Sequence, residues 1–364
     1  MNGDYFEVKT LEVTQPIGTF YICKLSPEQI TSISHTDVRR LEGKKRDVEE
    51  YIGLQRELSK NRVKELQKYV ELVDASFPNT IILSISSHDA EYNQTSSTLR
   101  IRNEKHVGKV LDGQHRIAGL EGITTNKDCF DTIVAIFIDM ELEDQAILFA
   151  TINSTQTKVN KSLAIDLFAF ATYRSPQKTC HNIARALDQL PSSPFHGKIK
   201  ILGSANDKEK ETITQATFVE SLIKYISKDR MKDRDDIKRG KKLKLTSDKE
   251  FLRKLFIEER DKEIAQLLIN YFSAVQNRWP EAWNKVTPEI ILNKSTGFIA
   301  LMRFLPECCK YLNYVYKEIS ISEFQEIFDS VNLSDSQFNR DQFIPGSSGQ
   351  SALLKRLKEA IPET

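Results

Sequence analysis

The sequence has no excess of either charge, no long apolar run, few cysteines and none of the common hydrolase signatures. Lys and Arg number 52 and Asp and Glu 51, a net charge of +1. That balance excludes a globally basic nucleic-acid coat and an acidic tail, yet leaves room for a local basic patch. No stretch approaches the roughly 18 apolar residues of a membrane helix, so no membrane partner is expected. Met1 to Gln15 mixes charged and apolar residues and reads as neither a signal nor a transit peptide. The cysteines (Cys23, Cys129, Cys180, Cys308 and Cys309) are odd in number, scattered, and form no C-x-x-C. Free thiols in a cytoplasmic protein are expected, rather than a disulfide framework or a zinc site. The Walker A pattern and the serine-hydrolase elbow are both missing, which excludes P-loop ATPase and Gly-x-Ser-x-Gly chemistry. Of the histidines, His35, His88, His106, His181 and His196 show no metal-ligand spacing and read as ordinary structural residues.

What is there is a chain of 364 residues, 40% hydrophobic and 28% charged, enough for two domains with real cores. Tyr5–Thr14 and Thr19–Leu25 read as strands, followed by a charged helical spacing over Lys44–Ala75 that Pro78 ends. Thr80–Ser86, Thr98–Arg102, His106–Leu111 and Thr132–Ile138 read as further strands. Ile117–Leu120 reads as a short helix closed by Gly122, and Glu141–Ile152 and Lys161–Tyr173 as longer helices. Helical patterns then dominate over Ile213–Ser227, Lys249–Trp279, Phe298–Lys317 and Glu323–Val331, with Trp279 and Trp283 as core anchors. The expectation is an α+β chain: a mixed α/β core over 1–175 and a mainly helical C-terminal half over 176–364.

Chemistry concentrates at Asp112-Gly113-Gln114-His115-Arg116, where a strand meets a helix. Gly113 permits a tight turn, and the first amides of the helix have no intrahelical partner, so they suit an anion. Arg116 can grip a phosphate through two parallel bonds, and His115 adds a titratable group. Cations gain nothing from the dipole at a helix start, so an arriving anion would explain them. Asp112 fits two roles, an N-cap or a ligand to Mg²⁺ whose other ligands are nucleotide phosphates. The charged stretch Lys228–Lys244 carries Lys238, Arg239, Lys241, Lys242 and Lys244; it fits either a solvated loop or helix end, or a contact with the DNA phosphate backbone.

The DGQHR segment and its apolar helix resemble the signature of the DGQHR-domain family, which includes DndB-type proteins of DNA phosphorothioation gene clusters. Leu54-Gln55-Arg56-Glu57, Phe149–Asn153 with Lys158, Asn160 and Ser162, Lys294–Leu301 (KSTGFIAL) and the terminal Gly-Ser-x-Gly helix carry the resemblance over most of the chain. The family in turn resembles the ParB/sulfiredoxin superfamily, whose equivalent loop binds nucleoside triphosphate. Gln114 stands where sulfiredoxins have a Cys, so peroxiredoxin repair is not implied. The resemblance implies phosphate contacts from Gly113, His115 and Arg116, with Gln55, Arg56, Asn153 and Lys158 lining the same pocket. It implies that Gln114 or His115 places a water and Asp112 holds the metal if the nucleotide is hydrolysed. Asn153 also fits a helix C-cap and Lys158 a solvated loop. Two functions follow as expectations. One is nucleotide binding, with or without hydrolysis, in a DNA-modification or defence system alongside other proteins of that system. The other is a non-catalytic DNA-binding regulator. Oligomerisation is left open.

Overall fold

The computed structural model describes residues 5–35, 40–42, 50–52, 59–156, 165, 172–201, 207, 210–245 and 250–361. The chain divides into two compact units, 1–157 and 158–364. The architecture is α+β.

In the first unit β1 (Tyr5–Gln15) and β2 (Gly18–Leu25) form a hairpin, and α1 (Pro27–Ile33) follows. Ser26 and Gln29 cap α1 reciprocally, and Pro27 opens it, which fixes where the helix begins. Next come β3 (Ser34–His35), a small pair of β4 (Arg40–Glu42) and β5 (Glu50–Ile52), and α2 (Lys60–Tyr69). The long helix read over Lys44–Ala75 is therefore corrected. Tyr51, inside that span, pairs with Leu41 across two strands, and α2 begins only after Ser59. An interval of four fits alternate positions of a strand as well as one face of a helix, so over so short a span periodicity alone did not separate the two.

β6 (Ile81–Ile85), β7 (Ala90–Asn93), β8 (Thr98–Arg102), β9 (Gly108–Asp112), α3 (Gln114–Leu120), β10 (Thr132–Ile138) and α4 (Leu142–Gln156) complete the unit. Eight strands form one mixed sheet in the order β3-β9-β6-β10-β2-β1-β8-β7. β10 lies parallel to β6 and antiparallel to β2. The four strands read from Thr80 to Ile138 are all present, because their β-branched runs match a sheet buried on at least one face. Leu25, Ile30, Ile81, Leu83, Leu99, Ile101, Val134 and Ile136 have no exposed surface, and Ile117 and Leu120 of α3 join them in one cluster. Each such side chain contributes about 1.5–3 kcal/mol of burial.

Close packing sets where α3 sits. Gly119 faces α2, and a Cβ there would lie 2.8 Å from Leu66 Cβ. Beyond α3, Glu71 accepts the amides of Thr124 and Thr125, both at 2.8 Å, and these bonds hold its carboxyl down to about 2.

The second unit is mainly helical: α5 (Pro176–Gln189), α6 (Gln215–Leu222), α7 (Arg230–Lys238), α8 (Arg253–Ile257), α9 (Asp261–Arg278), α10 (Pro280–Asn284), α11 (Ser295–Tyr311), α12 (Ile321–Asp329) and α13 (Ser347–Lys358). A short parallel pair joins Ile199–Lys200 to Ile213–Thr214. The single helix read over Lys249–Trp279 is two helices. Glu259 turns left-handed at φ 58° and the Arg260 amide reaches back to Leu255 O, a helix-ending arrangement. The helix read over Phe298–Lys317 starts earlier, at Ser295, and ends at Tyr311, before left-handed Asn313 (φ 49°). Lys161–Tyr173 lies largely outside the described residues.

Trp279 and Trp283 are core anchors: both are fully buried, and their indole N–H groups donate to Leu333 O at 2.8 Å and Pro194 O at 2.9 Å. Phe195 meets Trp283 edge-on and Phe272 packs tilted against it, while Phe218 and Phe298 extend the cluster through those two rings. His181 is buried and its Nδ1 lies 2.7 Å from Gln215 Nε2. All five cysteines are free thiols, and of these Cys129 alone is exposed. Among the described residues no helix is long and apolar enough to cross a membrane.

Candidate functional sites

The β9–α3 turn is the first site the sequence points to. β9 pairs with β6 with a register shift, so Val110 faces Leu83 while Asp112 faces Ile82. Such irregularities re-aim the chain next to functional turns. Gly113, at φ 101°, is the N-cap of α3. Glycine is required there twice over: the conformation disfavours a side chain, and a Cβ would lie 3.0 Å from Ile81 Cγ1. The N-cap role read for Asp112 is corrected. Asp112 ends the strand, and its Oδ2 accepts Arg116 Nη2 at 2.6 Å.

Arg116 is turned inward. Its Nη1 donates to the carbonyls of Asn79 and Thr80, and its side chain is only 16% exposed. Burial lowers the Arg116 pKa; Asp112 opposes that shift and nearby Arg62 adds to it. In this position the guanidinium braces the turn against the start of β6.

His115 Nε2 accepts the amide of Ser59, at 3.2 Å, so the start of α2 meets the start of α3. Neither first turn carries a carboxylate, and α2 opens with Lys60 and Arg62. Arg62 is exposed and was not singled out from the sequence; the signal that could have found it is a cation in a first turn, where the dipole disfavours it. Gln114 Oε1 is buried without a hydrogen-bond partner.

Gln55, Arg56 and Lys158 lie outside the described residues. Asn153 lies within α4, three residues before its end, so it is not a C-cap. Among the described residues no three His, Cys, Asp or Glu side chains gather to hold a metal. Asp112, the carboxylate read as a Mg²⁺ ligand alongside nucleotide phosphates, is engaged by Arg116.

The second site is a cleft of about 1070 Å³ in the C-terminal unit, around α7. Lys228, Arg230 and Lys232 line it from the start of α7, and Lys241, Lys242 and Lys244 from the segment after it. The charged stretch thus folds as a helix followed by a left-handed turn at Gly240 (φ 70°), and the turn brings both ends of the stretch to one cleft. Of the five residues read as DNA contacts, Lys241, Lys242 and Lys244 line it. Lys238 and Arg239 sit at the helix end, where the dipole favours cations, and the Lys238 ammonium lies 5.7 Å over the Tyr173 ring. Lys228 and Lys232 are contributors the sequence reading placed in the stretch without assigning them.

The acids of the cleft are each engaged from within, two of them by cations. Asp233 is held in a bidentate pair by Arg253, at 2.6 and 2.9 Å, with both side chains at most 10% exposed. Asp236 accepts Lys241 at 3.2 Å, and Asp229 caps α7 through the Lys232 amide. Arg230 pairs outward with Glu220. Lys228, Lys232, Lys242 and Lys244 stay exposed, and none has an ion-pair partner among the described residues.

A family model described as DndB, DNA-sulfur modification-associated, matches residues 9–302. No curated protein and no solved structure matches the chain. The matched span includes both the β9–α3 turn and the cleft around α7, and the chain belongs to the DndB family of DNA-sulfur modification-associated proteins.

Proposed function

We propose that the protein binds duplex DNA through its phosphate backbone, using the cleft around α7, within a DNA-sulfur modification system. The carrying observation is the gathering of four lysines, unpaired among the described residues, in a cleft whose acids already have hydrogen-bond partners. Phosphates attract such cations by releasing condensed counterions, independently of base sequence. The described lining holds no aromatic ring on which bases could stack and no Asn or Gln to read base edges. That favours backbone contact over readout, and agrees with the non-catalytic regulator among the two expectations. Four phosphate contacts give a slope of about −3.5 in log affinity against log salt. Replacing Lys242 and Lys244 with Ser is expected to cut that slope by about 2 and to weaken binding alike for all sequences. Titrations by fluorescence anisotropy at several salt concentrations check this, and an unchanged slope removes the proposal.

A second reading, nucleotide binding at the β9–α3 turn, is supported by the two carboxylate-free helix starts that meet at His115. In this reading Gly113, Gln114 and His115 face the phosphates, Arg62 supplies charge, and Arg116 with Asp112 holds the turn. Calorimetry with ATP, GTP and CTP, with and without Mg²⁺, tests it. Arg62→Ala is expected to weaken binding about tenfold, the scale of one charged hydrogen bond. Absent binding to the unmodified protein, or equal binding by Arg62→Ala, removes the reading.

A further inference from the structure

A smaller cavity of the C-terminal unit, about 190 Å³, lies between α9 and the segment joining α11 to α12. Glu263, Gln266 and Leu267, on one face of α9, form one wall, and Tyr314 and Ile319 form the other. Arg260 holds both oxygens of Glu263, at 2.6 and 2.5 Å, so that wall offers little free charge. Beside the cavity the chain displays apolar groups: Val315 is 74% exposed, and Tyr311 and Ile321 are exposed as well. Single exposed apolar side chains are ordinary, whereas three of them gathered in one short segment around a cavity mark an interaction surface.

The segment is held in place. Asn313 and Tyr316 take left-handed backbone, at φ 49° and 59°, and the Tyr314 amide donates to Cys309 O at 2.9 Å. The Lys254 ammonium lies 4.9 Å over the Tyr316 ring, and Arg260 donates to the Tyr316 carbonyl at 3.4 Å. A partner meets a surface that is already ordered, so little conformational entropy opposes association.

This surface complements itself. A knob, Val315, stands one residue from Tyr314, which lines a hole suited to an aliphatic side chain. Lys317 stands beside Glu318, both exposed, and neither has an ion-pair partner among the described residues. A twofold axis through such a surface sets each knob in the other copy's hole and each lysine opposite the other copy's glutamate. Adjacent charges of opposite sign suit a second copy better than a strongly charged partner.

We infer that the chain pairs with a second copy of itself through the 311–321 surface, Val315 of each copy entering the cavity of the other. The inference is independent of DNA binding, and its failure leaves that reading standing.

Sedimentation of the full chain over a range of concentrations tests it, with a monomer–dimer equilibrium as the expected result. Val315→Asp is expected to raise the dimer dissociation constant about a hundredfold, since each copy loses an anchor worth about tenfold. Val315 is exposed, so the fold should survive, and circular dichroism checks that it does. Lys317→Glu and Glu318→Lys should each weaken self-association about tenfold or more, because like charges then face each other across the axis. Mixing those two variants should restore a dimer, now made of one copy of each, which also shows that both are folded. A monomer at every concentration overturns the inference. So does self-association that Val315→Asp leaves unchanged, or a mixture that pairs no better than its components.

Discussion

Replacing Asp233 with Ala is expected to destabilise the C-terminal unit by about 3–5 kcal/mol, the usual result of removing one partner of a buried ion pair. Arg253 would stay buried without its bidentate partner, with only the weaker pull of Glu250 on its charge. Its other bonds, from Nε to Lys244 O at 2.7 Å and from Nη1 to Ile226 O at 3.1 Å, do not neutralise it. Urea unfolding of the variant beside the parent measures the loss. The double change Asp233→Ala with Arg253→Met should recover much of it, because both charges then leave together.

The pH dependence carries a sign that separates this pair from simple packing. Burial raises the Asp233 pKa, but the hydrogen bonds of Arg253 and Ser227 outweigh it, and the carboxyl stays below its usual value. A lowered carboxylate pKa contributes stability above the unfolded value of about 3.9, and that contribution is lost as pH falls through the folded value. The gap between parent and Asp233→Ala should therefore be full at pH 6 and narrow steadily below about pH 4. A gap independent of pH would mean that the pair does not act through its charge. Because Arg253 also fixes the Lys244 carbonyl, the same variant should bind DNA more weakly at pH 7, where the unit is still folded.

Gly349→Ala and Gly297→Ala are the second large effect. A Cβ at Gly349 would lie 2.0 Å from Ile344 O, and one at Gly297 2.3 Å from Leu292 O and 2.4 Å from Leu292 Cα. These are backbone atoms, so no side chain can rotate away. Overpacking of this kind costs about 1–3 kcal/mol or more. At both positions an ordinary helix would gain from alanine, since alanine is the better helix former by about 1 kcal/mol. The sign of the measured change therefore decides between contact and propensity, and stabilisation by either alanine would refute the packing account. The two glycines belong to KSTGFIAL and the terminal Gly-Ser-x-Gly helix. The start of each helix tucks against the chain just before it, and a hydrogen bond from the Gly346 amide to Thr296 Oγ1 at 3.4 Å links the two helix starts. Those segments drew attention as family-like; their glycines are explained by packing.

Sequence by itself determined the α+β class, six strands of the large sheet (the hairpin Tyr5–Gln15 and Gly18–Leu25, then Ile81–Ile85, Thr98–Arg102, Gly108–Asp112 and Thr132–Ile138), the sharp turn at Gly113, the aromatic anchors Trp279 and Trp283 and the basic stretch after Lys228. Each is set locally: β-branched runs favour a pleated strand, glycine alone tolerates φ 101° without strain, and large apolar rings leave water wherever the chain allows. Tertiary structure decided the rest. That Glu50–Ile52 is strand and not helix depended on a partner strand at Arg40–Glu42. The inward turn of Arg116 depended on carbonyls of Asn79 and Thr80, far away in sequence, and the meeting of two helix starts depended on Leu66 packing at Gly119. The cleft around α7 exists because Arg253 binds Asp233 and the Lys244 carbonyl together, and so sets Met231 among the lysines. Local propensity is a property of neighbours along the chain, whereas a charge or a cavity acquires its role from groups that folding alone brings near.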